Sequence, residues 1–449
     1  MNNFVKLSEV CLKITDGSHY SPEGIDTGYP IFSVKDMREN GFSYSDCKLI
    51  SEKEYKKICN NGCKPEINDI LIAKDGSYLK HIFVVTKDRK EVVLSSIGIL
   101  KPDTSKVNPY YIKYYLSSNF VKKEVSKKYV SGSALPRIIL KNFANIEIPY
   151  IPLKNQNKIV EILKTIDDKI ENNNRINEEL ESMAKIIYDY WFIQFEFPNK
   201  DGKPYKKSGG KMVWNEELKR EIPKGWKYGT FEEIIEQLEC GNRPKGGIKE
   251  EFKKGIPSIG AENIISIGKY DFSLEKYIPE EYFNSLKKGI IKSNDILIYK
   301  DGAGVGSVSM AKNNFPHKKC AINSHVFIVR SKFNNLYQNY IYLTLEKKYI
   351  KKMLINLAMK AAQPGLNQDN IKSIPILIPN TDVLLEFNKI INRYFDKIFL
   401  NANESKELTS LRDFLLPMLM NGQVTFKEFN GEINIKDIEE KLKEKNIVT

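Results

Sequence analysis

Polar side chains with more than one hydrogen-bonding atom are grouped in loops rich in Gly, Asn and Ser in both halves of the chain. Arg and Lys match the acceptors of guanine or of a phosphate, and Asn and Gln match the donor and acceptor of adenine. These residue types favour contacts with nucleic acid. The candidates are His19, Tyr20, Lys35, Lys74, Ser77, Tyr78 and Arg137 in the first half, and Asn242, Arg243, Lys245, Asn263, Lys300, Gln363, Asn367 and Gln368 in the second.

Each candidate also has a plainer interpretation. An exposed lysine is usually solvated surface, and Tyr20 and Tyr78 fit a half-buried core position as well as an interface. Arg137 and Arg243 are stronger candidates, because Arg is scarce among the lysine-rich loops and its fork suits guanine or phosphate. The loop 363–368 could also be a simple connection between helices.

Motifs for catalysis are weak in this chain. Gly302–Gly306 follows a predicted strand, but another strand is predicted next, whereas a nucleotide loop needs a helix. Asn108–Tyr111 resembles the base-holding loop of adenine methyltransferases but lacks its second proline. The four histidines are scattered, and the six cysteines match no standard zinc spacing, so we expect no metal site. The sequence favours a protein that is not an enzyme and carries no cofactor.

The elements that must position the candidates occur twice. Asn142 and Asn370 are 370 − 142 = 228 positions apart, and the segments 68–76 and 294–302 share Asn-Asp-Ile-Leu-Ile followed by Lys-Asp-Gly. Landmarks in one order with nearly one offset indicate an internal repeat. Because the candidate loops differ between the two copies, we expect each copy to contact a different half of an asymmetric target.

Charge is distributed unevenly along the chain. Lys and Arg exceed Asp and Glu by 23 − 17 = 6 in residues 1–153 and by 24 − 15 = 9 in residues 224–379, whereas residues 154–197 have 6 − 9 = −3. Positive charge that is concentrated in the repeated bodies and absent from the long helices is the pattern expected for contact with double-stranded DNA phosphates. Nothing resembles a membrane span or a signal peptide, so we expect a cytoplasmic protein with no membrane partner.

The local patterns predict an α+β fold in each repeated body. Strands are expected at residues 70–73, 83–86, 296–299, 305–310 and 326–330, and helices at 110–116 and 340–345. Two long helices follow the bodies, since the segments from Asn155 to Trp191 and from Phe387 to Leu415 have apolar residues at alternating spacings of four and three. Such heptads predict a coiled coil.

Both heptad patterns are interrupted at the same place by polar residues. In an antiparallel pair of helices, Asn173 and Asn177 would face Asn401 and Ser405, and a matched polar layer fixes register. The alternative is a locally frayed stretch around 171–174. The predicted architecture is a pseudo-two-fold repeat of two mixed bodies and two helices. Its parts are 1–153 (first body), 154–197 (central helix), 198–223 (linker), 224–379 (second body), 380–420 (C-terminal helix) and 421–449 (charged tail).

Several segments resemble the specificity (S) subunits of type I restriction–modification systems. The segment 188–198, YDYWFIQFEFP, is similar to the end of that family's central helix, and 208–217, SGGKMVWNEE, with 222–226, IPKGW, is similar to its lead into the second half. The segments 146–149, 374–376, 411–417 and 15–19 also resemble family segments, so the likeness covers essentially the whole chain.

The resemblance implies two target-recognition domains, each reading half of a split DNA sequence, separated by two spacer helices. It implies docking of two modification (methyltransferase) subunits and of restriction (translocase) subunits, with S-adenosylmethionine, ATP and Mg²⁺ bound by those partners. From the residues alone, Trp191, Phe192, Phe195 and Phe197 are predicted to form the docking surface, the alternative being packing against the second body. The rival function is a stand-alone architectural or regulatory protein that binds DNA at two sites.

Overall fold

The structure is a computed structural model that describes residues 3–75, 79–131, 137–244, 254–359 and 365–420. The described chain forms two compact units. Unit 1 consists of the residues up to Lys169 together with those from Leu408 onward, and unit 2 runs from Ile170 to Glu407. The predicted tail 421–449 lies outside the described residues.

Unit 1 is built on a four-stranded antiparallel sheet in the order β2-β10-β7-β8, beside a three-stranded sheet in the order β6-β3-β9. Its strands are β1 (Asn3–Lys6), β2 (Cys11–Asp16), β3 (Tyr29–Phe32), β4 (Met37–Arg38), β5 (Gly41–Phe42), β6 (Lys48–Ile50), β7 (Ile70–Ala73), β8 (Ile82–Val84), β9 (Val92–Val93), β10 (Ile97–Pro102), β11 (Val130–Ser131), β12 (Arg137–Ile138) and β13 (Glu147–Tyr150). Its helices are α1 (Leu7–Val10), α2 (Glu52–Asn60), α3 (Pro109–Ser117), α4 (Asn119–Tyr129), α5 (Leu140–Ala144) and the beginning of α6 (Leu153–Tyr188).

Unit 2 repeats this plan, with a four-stranded sheet in the order β17-β25-β22-β23 and a three-stranded sheet in the order β21-β18-β24. Its strands are β14 (Met212–Asn215), β15 (Arg220–Pro223), β16 (Lys227–Thr230), β17 (Ile235–Cys240), β18 (Ile256–Ile259), β19 (Ile264–Ser266), β20 (Lys269–Tyr270), β21 (Lys276–Ile278), β22 (Ile296–Tyr299), β23 (Val308–Met310), β24 (Ala321–Ile322), β25 (Val326–Ser331) and β26 (Pro375–Ile378). Its helices are α7 (Phe231–Ile234), α8 (Glu280–Ser285), α9 (Lys332–Asn335), α10 (Gln338–Leu345), α11 (Lys348–Met359), α12 (Gln368–Lys372) and most of α13 (Thr381–Met420).

The two sheets follow from the same local sequence. The β-branched and apolar residues of β7 and of its counterpart β22 are almost wholly buried, so both faces of these central strands are covered. Asn68 and Asn294 precede these strands with φ of 74°, a conformation that Asn tolerates better than most residues. The α+β fold and its internal repeat are thus confirmed, and the predicted strands and helices are present with boundary shifts of a few residues.

One ion pair occurs at the same place in both sheets. Lys101 Nζ lies 2.8 Å from Asp69 Oδ2 in unit 1, and Arg330 Nε lies 2.6 Å from Asp295 Oδ1 in unit 2. Both carboxylates also accept a hydrogen bond from the backbone three residues earlier. This repeated pair ties the start of the central strand to its neighbour, so it belongs to the shared scaffold of the two units.

Helices α6 and α13 pair in an antiparallel direction within unit 2. Asn173 Nδ2 donates to Ser405 Oγ at 3.3 Å, and Asn401 Nδ2 donates to Asn177 Oδ1 at 2.9 Å, so numbering rises on one helix as it falls on the other. Asn173, Asn177 and Asn401 are each 5% exposed or less. The predicted coiled coil and its facing polar layer are confirmed.

The segments of α6 and α13 in unit 1 are joined by an ion pair in addition to buried apolar residues. Arg412 lies on α13, and its Nη1 is 2.9 Å from Oδ1 of Asp167 on α6. Lys113 Nζ lies 3.1 Å from the same carboxylate, and Tyr114 donates to it at 2.8 Å. Burial opposes ionisation of Asp167, but Lys113 and Arg412 hold the pKa of its carboxyl below the usual value. Asp167 is therefore the anionic centre of this helix contact.

The aromatic residues at the end of α6 are in the core of unit 2. Trp191, Phe192, Phe195 and Phe197 are each 5% exposed or less, and they pack with Trp226, Tyr340 and Phe387. Phe192 and Phe387 have ring centroids 4.7 Å apart, and Phe197 and Trp226 have centroids 5.3 Å apart. These contacts correct the prediction of an exposed docking surface. The sequence shows hydrophobicity but not which segment covers it, and here the second body does.

Candidate nucleic-acid interface

In unit 2, the loops that carry most of the candidates meet at one end of the four-stranded sheet. Strand β25 is antiparallel to β17 and β22, so its beginning lies beside their ends, with Cys240 opposite Phe327 and Tyr299 opposite Val326. Lys300 N donates to His325 O at 2.9 Å, and Leu366 N donates to Lys300 O at 2.8 Å. The segments 241–244, 300–302, 323–325 and 365–368 therefore form a single cluster.

Unit 1 has the same arrangement at the end of its own sheet. Strand β10 begins beside the ends of β2 and β7. Lys74 N donates to Ser96 O at 3.0 Å, and Ile138 N donates to Lys74 O at 3.2 Å. Position by position, Lys74 corresponds to Lys300, Ser96 to His325, and Asp16 at the end of β2 to Cys240 at the end of β17. We call these two clusters the unit 1 sheet end and the unit 2 sheet end.

A glycine follows the first strand in both sheet ends because a side chain does not fit there. A Cβ on Gly17 would lie 2.2 Å from Val93 O, and one on Gly241 would lie 2.1 Å from Ile322 O. Two residues after each glycine come His19 and Arg243. Both are exposed, and the His19 side chain, 77% exposed, has its Nε2 3.3 Å from Asp16 Oδ1. The close backbone approach thus presents one basic or potentially basic side chain from each unit.

The two equivalent lysines have opposite environments. Lys74 Nζ lies 2.7 Å from Asp16 Oδ2, and both side chains are less than a tenth exposed. This corrects the assumption that Lys74 is a surface loop residue. In unit 2, Cys240 replaces the carboxylate, and burial raises the pKa of its thiol, which favours the neutral form. Lys300 instead pairs with its neighbour Asp301 at 3.0 Å and remains 23% exposed.

The other candidates divide into exposed and buried residues. Lys35, Asn242, Asn367 and Gln368 are exposed, and Tyr20 is 53% exposed with Lys57 Nζ 4.8 Å from its ring centroid. Gln368 Nε2 donates to Leu238 O at 2.8 Å, which attaches its loop to β17.

Asn263 is 1% exposed and only supports the backbone. Its Oδ1 accepts from Gly260 N, and its Nδ2 donates to Asp271 O, each at 2.9 Å. This placement corrects the expectation that Asn263 lies at the surface. Ser77, Tyr78, Lys245, Gln363 and the side chain of Arg137 lie outside the described residues.

Asp301 and His325, which were not among the candidate DNA contacts, lie at the centre of the unit 2 sheet end. His325 Nδ1 is hydrogen-bonded to Asp301 Oδ1, and its backbone N donates to Asn323 Oδ1 at 2.8 Å. Asp301 was visible as part of the repeated Lys-Asp-Gly landmark. His325 had no such signal, because the equivalent position in the first repeat is Ser96.

The motifs that could suggest catalysis have structural explanations. The segment 302–306 connects β22 to the antiparallel strand β23, so it forms a hairpin loop with no helix after it, as predicted. Asn108 caps α3, accepting from Tyr110 N at 2.9 Å. Within the described ranges there is no group of three His, Cys, Asp or Glu side chains arranged to hold a metal ion. No helix in this part of the chain is long and apolar enough to cross a membrane.

Known proteins are similar to this chain over both of its repeats. The family model of the type I restriction modification DNA specificity domain matches residues 2–182 and 223–411. The chain is 29% identical over 318 residues to the type I restriction enzyme MjaIX specificity subunit of Methanocaldococcus jannaschii, covering 70% of this chain and 69% of that one. It is 24% identical over 455 residues to the HindI specificity subunit of Haemophilus influenzae, covering 87% and 93%.

The fold is also shared with a solved structure. The crystal structure of the S subunit of a type I restriction–modification system from M. genitalium superposes with a TM-score of 0.53 at 16% identity, covering 93% of this chain and 96% of that one. The family match extends over both repeats and most of both long helices. The chain therefore belongs to the family of type I restriction–modification DNA specificity subunits.

Proposed function

We propose that this chain reads a bipartite, asymmetric DNA sequence, with each unit contacting one half of it through its sheet end. The observation that carries this proposal is the chemical difference between two equivalent sites. The same backbone presents His19 and a buried Lys74 in unit 1, but Arg243, Lys300 and His325 in unit 2. Two copies of one scaffold with different polar groups suit two different base sequences.

Charge supports a role in DNA binding for the bodies. Residues 1–153 carry a net charge of +6 and residues 224–379 one of +9, whereas the central helix segment 154–197 is at −3. Phosphate contacts position a protein on the duplex, and base contacts then supply the sequence preference. In this proposal exposed lysines such as Lys35 act on phosphates, and Arg243 acts on a base edge.

The helices are proposed to dock the partner enzymes and to set the distance between the half-sites. Helices α6 and α13 are 36 and 40 residues long, roughly 50–60 Å each at 1.5 Å per residue. With the aromatic cluster buried, docking of two modification subunits would fall on exposed apolar residues of these helices. In unit 2 these are Met183, Ile186, Leu385 and Leu400.

The chemistry would then belong to the partners. We propose that modification subunits carrying S-adenosylmethionine flip and methylate an adenine in each half-site. Restriction subunits using ATP and Mg²⁺ would act on unmodified DNA. This chain would determine the DNA sequence on which both reactions take place, and its own residues would bind and orient the DNA.

Methylome sequencing tests the proposal. A host lacking its own DNA methyltransferases would express this chain with its presumed modification subunit, and matched strains would express either protein alone. We expect one split adenine-methylated motif that appears only when both proteins are present. No motif in any strain, despite folded protein, would contradict the proposal and favour a DNA-binding protein that acts without enzyme partners.

A further inference from the structure

His325 is a partly exposed polar residue of the unit 2 sheet end. Its side chain is 37% exposed, and its loop is joined to the loops that carry the candidate DNA contacts. Its backbone O accepts from Lys300 N, and Cys240 Sγ, three residues before Arg243, contacts the neighbouring Ser324 O at 3.4 Å. The imidazole therefore lies within the surface proposed to face DNA.

The orientation of the imidazole is fixed by a carboxylate. Asp301 accepts a hydrogen bond at Oδ1 from His325 Nδ1, and its Oδ2 lies 3.0 Å from Lys300 Nζ. A carboxylate only accepts hydrogen bonds, so Nδ1 carries the hydrogen, and in the neutral ring Nε2 is an acceptor. The contact of Lys300 is with the other oxygen of Asp301, so Oδ1 alone positions the ring.

The second nitrogen of the ring is available to a ligand. Across the described ranges, His325 Nε2 makes no hydrogen bond, although the ring's other nitrogen and the residue's backbone are engaged. The equivalent residue in unit 1, Ser96, uses its Oγ to accept from Val34 N at 3.1 Å. The unit 2 sheet end thus presents an oriented hydrogen-bond acceptor at this position. In the unit 1 sheet end, the side chain at this position binds a backbone N–H of its own unit.

We propose that His325, oriented by Asp301, determines the preference of unit 2 for a base with an exocyclic amino group, adenine or cytosine, at one position of its half-site. Those two bases are the ones that present amino donors in the major groove. The inference rests on the proposed function, because it assigns one residue of the same interface a specific role. Asp301 acts in it as a positioning residue that does not contact DNA.

Selection from a randomised DNA duplex library by the full-length chain tests this role. The wild type is expected to enrich a bipartite motif, and His325→Ala should lose the preference at a single position of one half by about tenfold in relative enrichment. Asp301→Ala should weaken the preference at that same position and add little in the double variant, because the two residues act through one contact.

Two further variants distinguish a loss of base preference at the interface from a loss of the folded structure. His325→Gln keeps an acceptor near the position of Nε2, so it should retain most of the preference. His317→Asn is the matched control, since His317 in the same unit also contacts a carboxylate, that of Glu275, but packs against Tyr270 and Phe272 instead of the sheet-end loops. It should leave the motif unchanged.

Three results would overturn the inference. The first is a His325→Ala variant that enriches the wild-type motif, and the second is guanine or thymine at the affected position. The third is loss of preference in both halves by His325→Ala and His325→Gln alike, which would indicate a folding role. A wild-type chain that enriches no motif would instead reject the proposed function itself.

Discussion

The unit 1 and unit 2 sheet ends share a backbone but differ in charge. In unit 1, Asp16 draws Lys74 into a buried ion pair, so that end presents His19 above a neutralised interior. In unit 2, Cys240 stands in place of Asp16, and Lys300 stays near the surface with Asp301 and His325. The comparison indicates that a carboxylate at the end of β2 holds Lys74 in the core, whereas Lys300, which has a thiol at the equivalent position, remains partly exposed.

The largest expected effect comes from removing the buried carboxylate. Asp16→Ala leaves Lys74 buried without a partner and should lower the free energy of unfolding of unit 1 by about 3–5 kcal/mol. Cys240→Ala, at the equivalent position of unit 2, should cost about 1 kcal/mol or less, because no charge is left unpaired. Chemical denaturation followed by circular dichroism measures both. Equal losses in the two variants would contradict the proposed difference between the sheet ends.

Substitution of Gly17 and Gly241 tests whether the turns after the first strands are equivalent in the two sheet ends. Gly17→Ala and Gly241→Ala each place a Cβ about 2 Å from a backbone carbonyl, so both should destabilise by about 1–3 kcal/mol. Gly41→Ala is the matched control, because a Cβ there has no neighbour within 4 Å. Thermal unfolding of the three variants checks this. A loss confined to one unit would show that the turns are not equivalent.

The smallest effect on stability is expected at Lys300. Its ion pair with Asp301 is partly exposed, so Lys300→Ala should change the free energy of unfolding by less than about 1 kcal/mol. If Lys300 contacts a phosphate, DNA affinity should fall by a similar factor on every sequence, and the salt dependence of binding should decrease by about one ion. Fluorescence anisotropy at several salt concentrations measures this. Unchanged affinity and salt dependence would remove Lys300 from the interface.

Much of the scaffold was readable from the sequence, because local patterns carry it. The central strands β7 and β22 occupy the predicted residues, and the polar layer at Asn173 and Asn401 faces its partner helix as the heptads required. These features depend on periodicity within one segment and on a repeat that shows which segments correspond.

The parts that could not be predicted depend on contacts between distant segments. Lys74 and Asp16 are 58 positions apart, and the strand order that places their loops together is not visible in either loop. Trp191 and Phe192 gave a hydrophobic signal, but it did not reveal that Trp226 and Phe387 cover them. His325 was missed because its partner Asp301 lies 24 positions away and the first repeat has no histidine there.

Methylomes of two single variants test most directly whether each sheet end reads one half of the target. His19→Ala and Arg243→Ala would each be expressed with the modification subunit in a host without its own methyltransferases. We predict that His19→Ala relaxes one half of the split motif and Arg243→Ala relaxes the other, each leaving the opposite half intact. If both variants relax the same half, or weaken methylation at every site equally, the sheet ends do not divide the target between them.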